Sequence, residues 1–134
     1  MKFETQSPGD KAYGELNERL LQFNTEHAPW QRETFTIVAK DDGGRTGGGV
    51  RGVVNMGLIE IRGLWVDEDL RGTGLGRQLM ERLEQEARDR GAGRAALDTY
   101  DWQARKFYER LGYVLFGTLP YPDGANRFYM VKEL

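Results

Sequence analysis

Residues 71–77, Arg-Gly-Thr-Gly-Leu-Gly-Arg, set three glycines at alternate positions between two arginines, just ahead of a strongly amphipathic stretch. Glycines at a helix start leave backbone N–H groups uncovered by side chains, and the helix dipole adds to their pull on an anion. The spacing suits a pyrophosphate. The dinucleotide-binding pattern Gly-x-Gly-x-x-Gly fails in both registers, because its last position is Arg77 counted from Gly72 and Leu79 counted from Gly74. The Gly-Lys-Ser/Thr ending of a nucleoside-triphosphate loop is also absent. What fits is Arg/Gln-x-x-Gly-x-Gly/Ala, as Arg71-x-x-Gly74-x-Gly76. An ordinary strand-to-helix turn is satisfied by one or two glycines, so three alternating ones exceed that need.

Other chemistries lack their residues. There is no cysteine, which removes disulfides, thiolate nucleophiles and cysteine-based metal sites. A single histidine, His27, makes a Ser-His-Asp triad or a histidine-rich metal centre improbable, and no metal is expected. The chain carries 19 Lys+Arg against 21 Asp+Glu, a net charge of −2. A nucleic-acid partner needs a basic stripe, so none is expected. No apolar run approaches the ~18 residues of a membrane span, and residues 1–6 lack the apolar core of a signal peptide. No membrane partner is expected, and the cytoplasm is the default compartment. At 134 residues the whole chain, 1–134, reads as one domain.

Positioning of the glycine turn falls to the surrounding elements. Tyr13, Leu16, Leu20 and Phe23 recur at helical spacing after Asp10, and Pro29 closes that helix. Residues 34–39 alternate as a strand, and 50–56 and 58–66 read as two more, the second holding the apolar run Leu64-Trp65-Val66. Six glycines fall between Gly43 and Gly52; they read as a flexible hairpin connection. Leu75, Leu79, Leu83 and Ala87 step by four along the central helix, with Glu84→Arg88 and Glu86→Arg90 as surface pairs. A strand at 94–99, a short helix at 104–111 and strands at 113–119 and 127–131 follow, and Lys2–Thr5 is a candidate first strand. Strand–helix–strand order in the middle implies a parallel pair, and the hairpins antiparallel ones. The fold class is mixed α/β with a single central sheet.

The stretch from Leu64 through Asp67 to Gly76 resembles the pyrophosphate-binding motif of the GNAT superfamily of acetyl-CoA-dependent N-acetyltransferases. A second block, Ala104-Arg105-Lys106-Phe107-Tyr108-Glu109-Arg110-Leu111-Gly112-Tyr113, is similar to that family's Ala-x-x-Phe-Tyr-x-x-x-Gly-Phe/Tyr segment. The two stand in the family's order with one strand between them. The resemblance implies a sheet of six to seven strands, splayed at its centre and flanked by helices. It also implies acetyl-CoA as co-substrate and a primary amine of a small molecule or peptide as acceptor.

Residue by residue, the resemblance implies that main-chain groups of Leu64, Trp65 and Val66 bond the pantetheine arm as an added strand would. Arg71, Gly72, Thr73, Gly74, Leu75, Gly76 and Arg77 would hold the pyrophosphate, with Arg77 equally readable as a solvated helix residue. Gln103 is the nearest match to an asparagine that family members place on the pantetheine. Tyr108 matches the general acid that protonates the departing thiolate, set against a core-packing reading. Glu60 matches a glutamate that could deprotonate the ammonium, directly or through water, set against a surface charge paired with Arg62. Asp98 and Asp67 are weaker candidates. His27, Trp30, Tyr121, Asp123 and Asn126, with Tyr100 and Trp102, fall where the fold frames its acceptor. A CoA-binding module without turnover is the alternative. The absence of cysteine favours direct transfer over an acyl-enzyme, and family analogy raises a homodimer through the C-terminal strands.

Overall fold

A computed structural model describes residues 1–134. They form two compact units, Met1–Gln31 and Arg32–Leu134. The first holds helix α1 (Lys11–His27), preceded by Asp10, whose carboxylate accepts the Ser7 N–H at 2.7 Å. Its apolar positions Leu16, Leu20 and Phe23 are exposed. Residues 2–5 form no strand. With Phe3 as their one apolar side chain, they offer no face to bury.

The second unit runs β1 (Glu33–Lys40), β2 (Thr46–Asn55), β3 (Leu58–Val66), α2 (Leu75–Asp89), β4 (Arg94–Tyr100), α3 (Arg105–Arg110), β5 (Val114–Pro120) and β6 (Asn126–Glu133). A short 3-10 turn at Glu68–Leu70 leads into the glycine segment. The strands make one six-stranded sheet in the order β1-β2-β3-β4-β6-β5. Neighbours are antiparallel except β3 and β4, which α2 connects by a crossover. α2 ends on Gly91, whose φ is +89°, and the Ala92 N–H reaches back to the Ala87 carbonyl at 2.8 Å. That bond is a Schellman cap.

Two departures from regular pairing shape the centre. β3 and β4 pair from Leu58↔Arg94 to Ile61↔Leu97 and no further, although both strands continue. Beyond Ile61 they diverge, leaving β3 main-chain groups without a sheet partner on that side. On its other side β3 carries a bulge: Gly52 pairs with Ile61 but Arg51 pairs with Gly63, so Arg62 is the extra residue. A bulge resets the alternation of faces. Ile59 and Ile61 are buried and Leu64 packs against the same core, while Glu60, Arg62 and Trp65 are exposed.

The glycine-rich segment corrects its reading as a flexible connection. The hairpin is confined to residues 41–45, with Gly44 at φ +86°, and β2 already begins at Thr46. Gly47 and Gly48 are buried within the strand. A Cβ on Gly48 would stand 2.8 Å from the Trp65 carbonyl oxygen and 3.3 Å from Leu79 Cδ1, and one on Gly52 2.7 Å from Ile59 Cδ1. These glycines let α2 and β3 approach β2 closely. The core between sheet and α2 centres on Val50, Ile59, Met80, Leu83 and Met130, each worth roughly 1.5–3 kcal/mol of burial. Glu84 differs from its expected surface role. It is 3% exposed and takes Lys132 Nζ at 2.8 Å and the Tyr113 hydroxyl at 3.2 Å. No helix is long and apolar enough to cross a membrane.

Candidate active site

Divergence of β3 from β4 opens a cleft of about 890 Å3. One wall is β3 from Ile61 to Val66, the other is β4 from Leu97 to Tyr100, and the glycine turn and α3 close its ends. Main-chain groups on the β3 wall suit an extended ligand that bonds like a strand. One of them is engaged: the Val66 carbonyl accepts from Arg71 Nε at 3.1 Å.

The glycine turn reaches its shape through left-handed backbone, with φ +76° at Gly72 and +89° at Gly74. Gly74 caps α2, and its carbonyl takes the Gln78 N–H at 3.1 Å. The N–H groups of Leu75, Gly76 and Arg77 therefore head the helix without an intrahelical acceptor, where an anion is favoured. Gly76 is small for a different reason: its Cβ would stand 3.3 Å from Phe107 Cζ of α3. The Thr73 hydroxyl is spent on the Leu70 carbonyl at 2.5 Å. Arg71 lies over the Trp65 ring at 5.0 Å, and Arg77 meets Glu81 at 3.7 Å; both line the cleft.

Tyr108 lines the cleft from α3, with Phe107 edge-on at 5.2 Å and Tyr113 at 6.0 Å. Its hydroxyl donates to no protein group. Burial raises its pKa above the usual phenol value, and the Asp98 carboxylate adds to the rise. The phenol thus holds its proton at neutral pH. Gln103 also lines the cleft, but its side-chain oxygen accepts the Tyr100 N–H at 3.0 Å and the Thr99 hydroxyl at 3.2 Å. Its amide nitrogen donates to no protein group.

The carboxylates separate clearly. Asp67 is held by Trp65 Nε1 at 2.9 Å and by Arg45 at 2.8 Å; the indole first and the guanidinium second push its pKa down. Glu60 stands outside the cleft lining and pairs with Arg62 at 2.6 Å, while Arg62 itself lines the cleft. Asp98 lines the cleft directly and is ion-paired with Arg127. Arg127 in turn lies 5.7 Å over the Tyr100 ring, which stacks on Trp102 at 4.7 Å, while the Tyr100 hydroxyl stands 3.3 Å from the Tyr121 hydroxyl. Asp123 and Asn126 are occupied in their turn, with the Ala125 N–H and with Asp101 respectively. His27 and Trp30 belong to the Met1–Gln31 unit, where His27 Nδ1 donates to the Phe23 carbonyl at 2.7 Å.

A family model described as the acetyltransferase (GNAT) family matches residues 5–113. The chain belongs to the GNAT acetyltransferase family. Blasticidin-S acetyltransferase of Streptomyces morookaense is 38% identical over 104 residues, 76% of each chain. A crystal structure from Agrobacterium tumefaciens, assigned as an acetyltransferase, superposes with a TM-score of 0.89 at 28% identity over 100% of both chains. An acetyltransferase from Bacillus cereus gives 0.84 at 29% identity over 98% of both. This GNAT chain is an acetyl-CoA-dependent N-acetyltransferase. Its cleft is lined by Leu64, Trp65, Val66, Arg71, Gly72, Gly74, Gly76, Arg77, Gln103 and Tyr108, whereas Thr73, Leu75 and Glu60 stand outside the lining. Arg62 and Arg127 carried no local signal, since one depends on a bulge and the other on a partner strand.

Proposed function

We propose that this acetyltransferase carries the acetyl group of acetyl-CoA directly to a primary amine that reaches into the cleft. The amine nitrogen attacks the thioester carbonyl, the carbon–sulfur bond breaks, and the departing thiolate takes the Tyr108 proton. Supporting this reading, the free phenol, the splayed main-chain edge and the open helix start share one cleft. Of these, Tyr108 carries the reading furthest, because an unbonded hydroxyl kept protonated at a ligand cleft has the form a general acid requires. The β3 edge would take the pantetheine, residues 71–77 the pyrophosphate and the Gln103 amide nitrogen a pantetheine carbonyl. Glu60 takes the ammonium proton through water admitted past Arg62. By its name, the Streptomyces relative acts on a small molecule, and the Tyr100–Trp102 wall favours a small acceptor here too.

A panel of amines with acetyl-CoA, read by release of free thiol, tests this. Tyr108→Phe should keep acetyl-CoA affinity and lose roughly 10²-fold in kcat. Since the phenol's pKa lies above its usual value of about 10, deprotonation of Tyr108 should limit the rate only in still more alkaline solution. Turnover by Tyr108→Phe at the wild-type rate would make Tyr108 a packing residue. Two copies are further proposed to meet along β5, the sheet edge on which Val114 and Phe116 are exposed; a monomer in light scattering at high concentration would exclude this.

A further inference from the structure

Across β3 from the cofactor cleft, a shallower pocket of about 310 Å3 opens on the sheet face away from α2, with Thr36, Gly49, Arg51, Gly63 and Trp65 among its walls. Gly63 and Trp65 line both cavities, so one strand separates them. Register explains the grouping. Thr36 pairs with Arg51 and Arg51 with Gly63, while Gly49 pairs with Trp65, which puts these positions on one face. The bulge at Arg62 is what turns Gly63 to that face.

Arg51 is the notable member. Among the strand arginines, Arg62 pairs with Glu60, Arg94 with Glu133 and Arg127 with Asp98. The main chain of Arg51 belongs to the sheet ladders, but its guanidinium has neither an acidic partner nor a hydrogen bond. An uncompensated guanidinium in a concavity presents a planar fork that fits a carboxylate bidentately. The space beside it is open, because a Cβ on Gly63 would meet nothing within 4 Å. The far wall is rigid, with the Trp65 indole fixed by Asp67 at 2.9 Å and lying 5.0 Å beneath Arg71.

We propose that this pocket is a carboxylate subsite of the acceptor site, and that the acceptor is a compact amino-carboxylate. Its carboxylate sits on Arg51 while its amine reaches over Gly63 to the thioester. Arg51 and Gly63 are direct cross-strand partners, so a short molecule lying across this pair meets both positions at once. The proposal rests on the acetyl-transfer reading for the identity of the ligand, and its test reads binding apart from turnover.

The CoA-bound protein is titrated by calorimetry with N-acetyl-β-alanine and N-acetyl-γ-aminobutyrate, and with the primary amide of each. The acids should bind at least about 10-fold more tightly than their amides, the preference should vanish in Arg51→Gln, and Arg51→Lys should restore part of it. Acids that bind no better than amides, or a preference that survives Arg51→Gln, would overturn the proposal. Arg51-dependent binding of the acids without thiol release from any amine would instead sink the transfer reading and leave the carboxylate subsite standing.

Discussion

Two glycine-rich regions of this acetyltransferase use the same residue for opposite reasons. In β2, Gly48 and Gly52 have ordinary backbone but no room: their Cβ atoms would stand 2.8 Å from a β3 carbonyl oxygen and 2.7 Å from Ile59. In the turn before α2, Gly72 and Gly74 have room but unusual backbone, at φ +76° and +89° with no protein atom closer than 4.0 Å. The first pair allows elements to touch. The second leaves the N–H groups at the start of α2 uncovered and the space before them clear. Glycine content alone therefore says little about function until the missing Cβ is assigned either to a clash or to a dihedral angle.

Substitution can break the comparison at either region. The largest stability effect should come from Gly52→Val, which forces branched volume against fully buried Ile59. Overpacking there should cost about 3 kcal/mol, or roughly 10 °C in Tm, measured by thermal and urea unfolding. The folded fraction should still bind acetyl-CoA with wild-type affinity, and loss of affinity with stability intact would show that β2 shapes the cofactor site directly.

A smaller cost in stability, but a direct one in affinity, is expected of Gly74→Val. The side chain has space, so the penalty is the left-handed dihedral, about 1–3 kcal/mol, together with a shielded helix start. Calorimetry should show acetyl-CoA binding weakened by about 10-fold or more; undiminished binding would remove the turn from the pyrophosphate site. The smallest change is expected of Gly44→Asn in the hairpin. There φ is +86° with nothing within 4 Å of the would-be Cβ, and asparagine tolerates the left-handed region. A shift above about 1 kcal/mol in urea unfolding would mean that this hairpin does more than turn the chain.

The sequence by itself determined much of the local structure around the cleft. Elements whose apolar period is local, such as α2 with Leu79, Leu83 and Ala87, were legible from spacing. So was the turn 71–77, because its chemistry lies in consecutive backbone groups, and so was the Phe107–Tyr108 block. What tertiary structure decided is everything that depends on a partner distant in sequence. Glu84 reads as a surface charge on its own helix, yet it is buried because Lys132 and Tyr113, on other elements, arrive to compensate it. Gly47 and Gly48 read as a flexible linker because nothing local reveals Leu70 or Leu79 pressing on them. The family resemblance implies a catalytic role for Glu60, yet its ion pair with Arg62 outside the cleft lining depends on side-chain packing and on a bulge that one-dimensional alternation does not encode. Arg51 and Gly63 are 12 positions apart and become neighbours through strand register alone. Local periodicity is written in adjacent residues, whereas register, burial of charge and the divergence of β3 from β4 are settled by packing energies summed over the whole sheet.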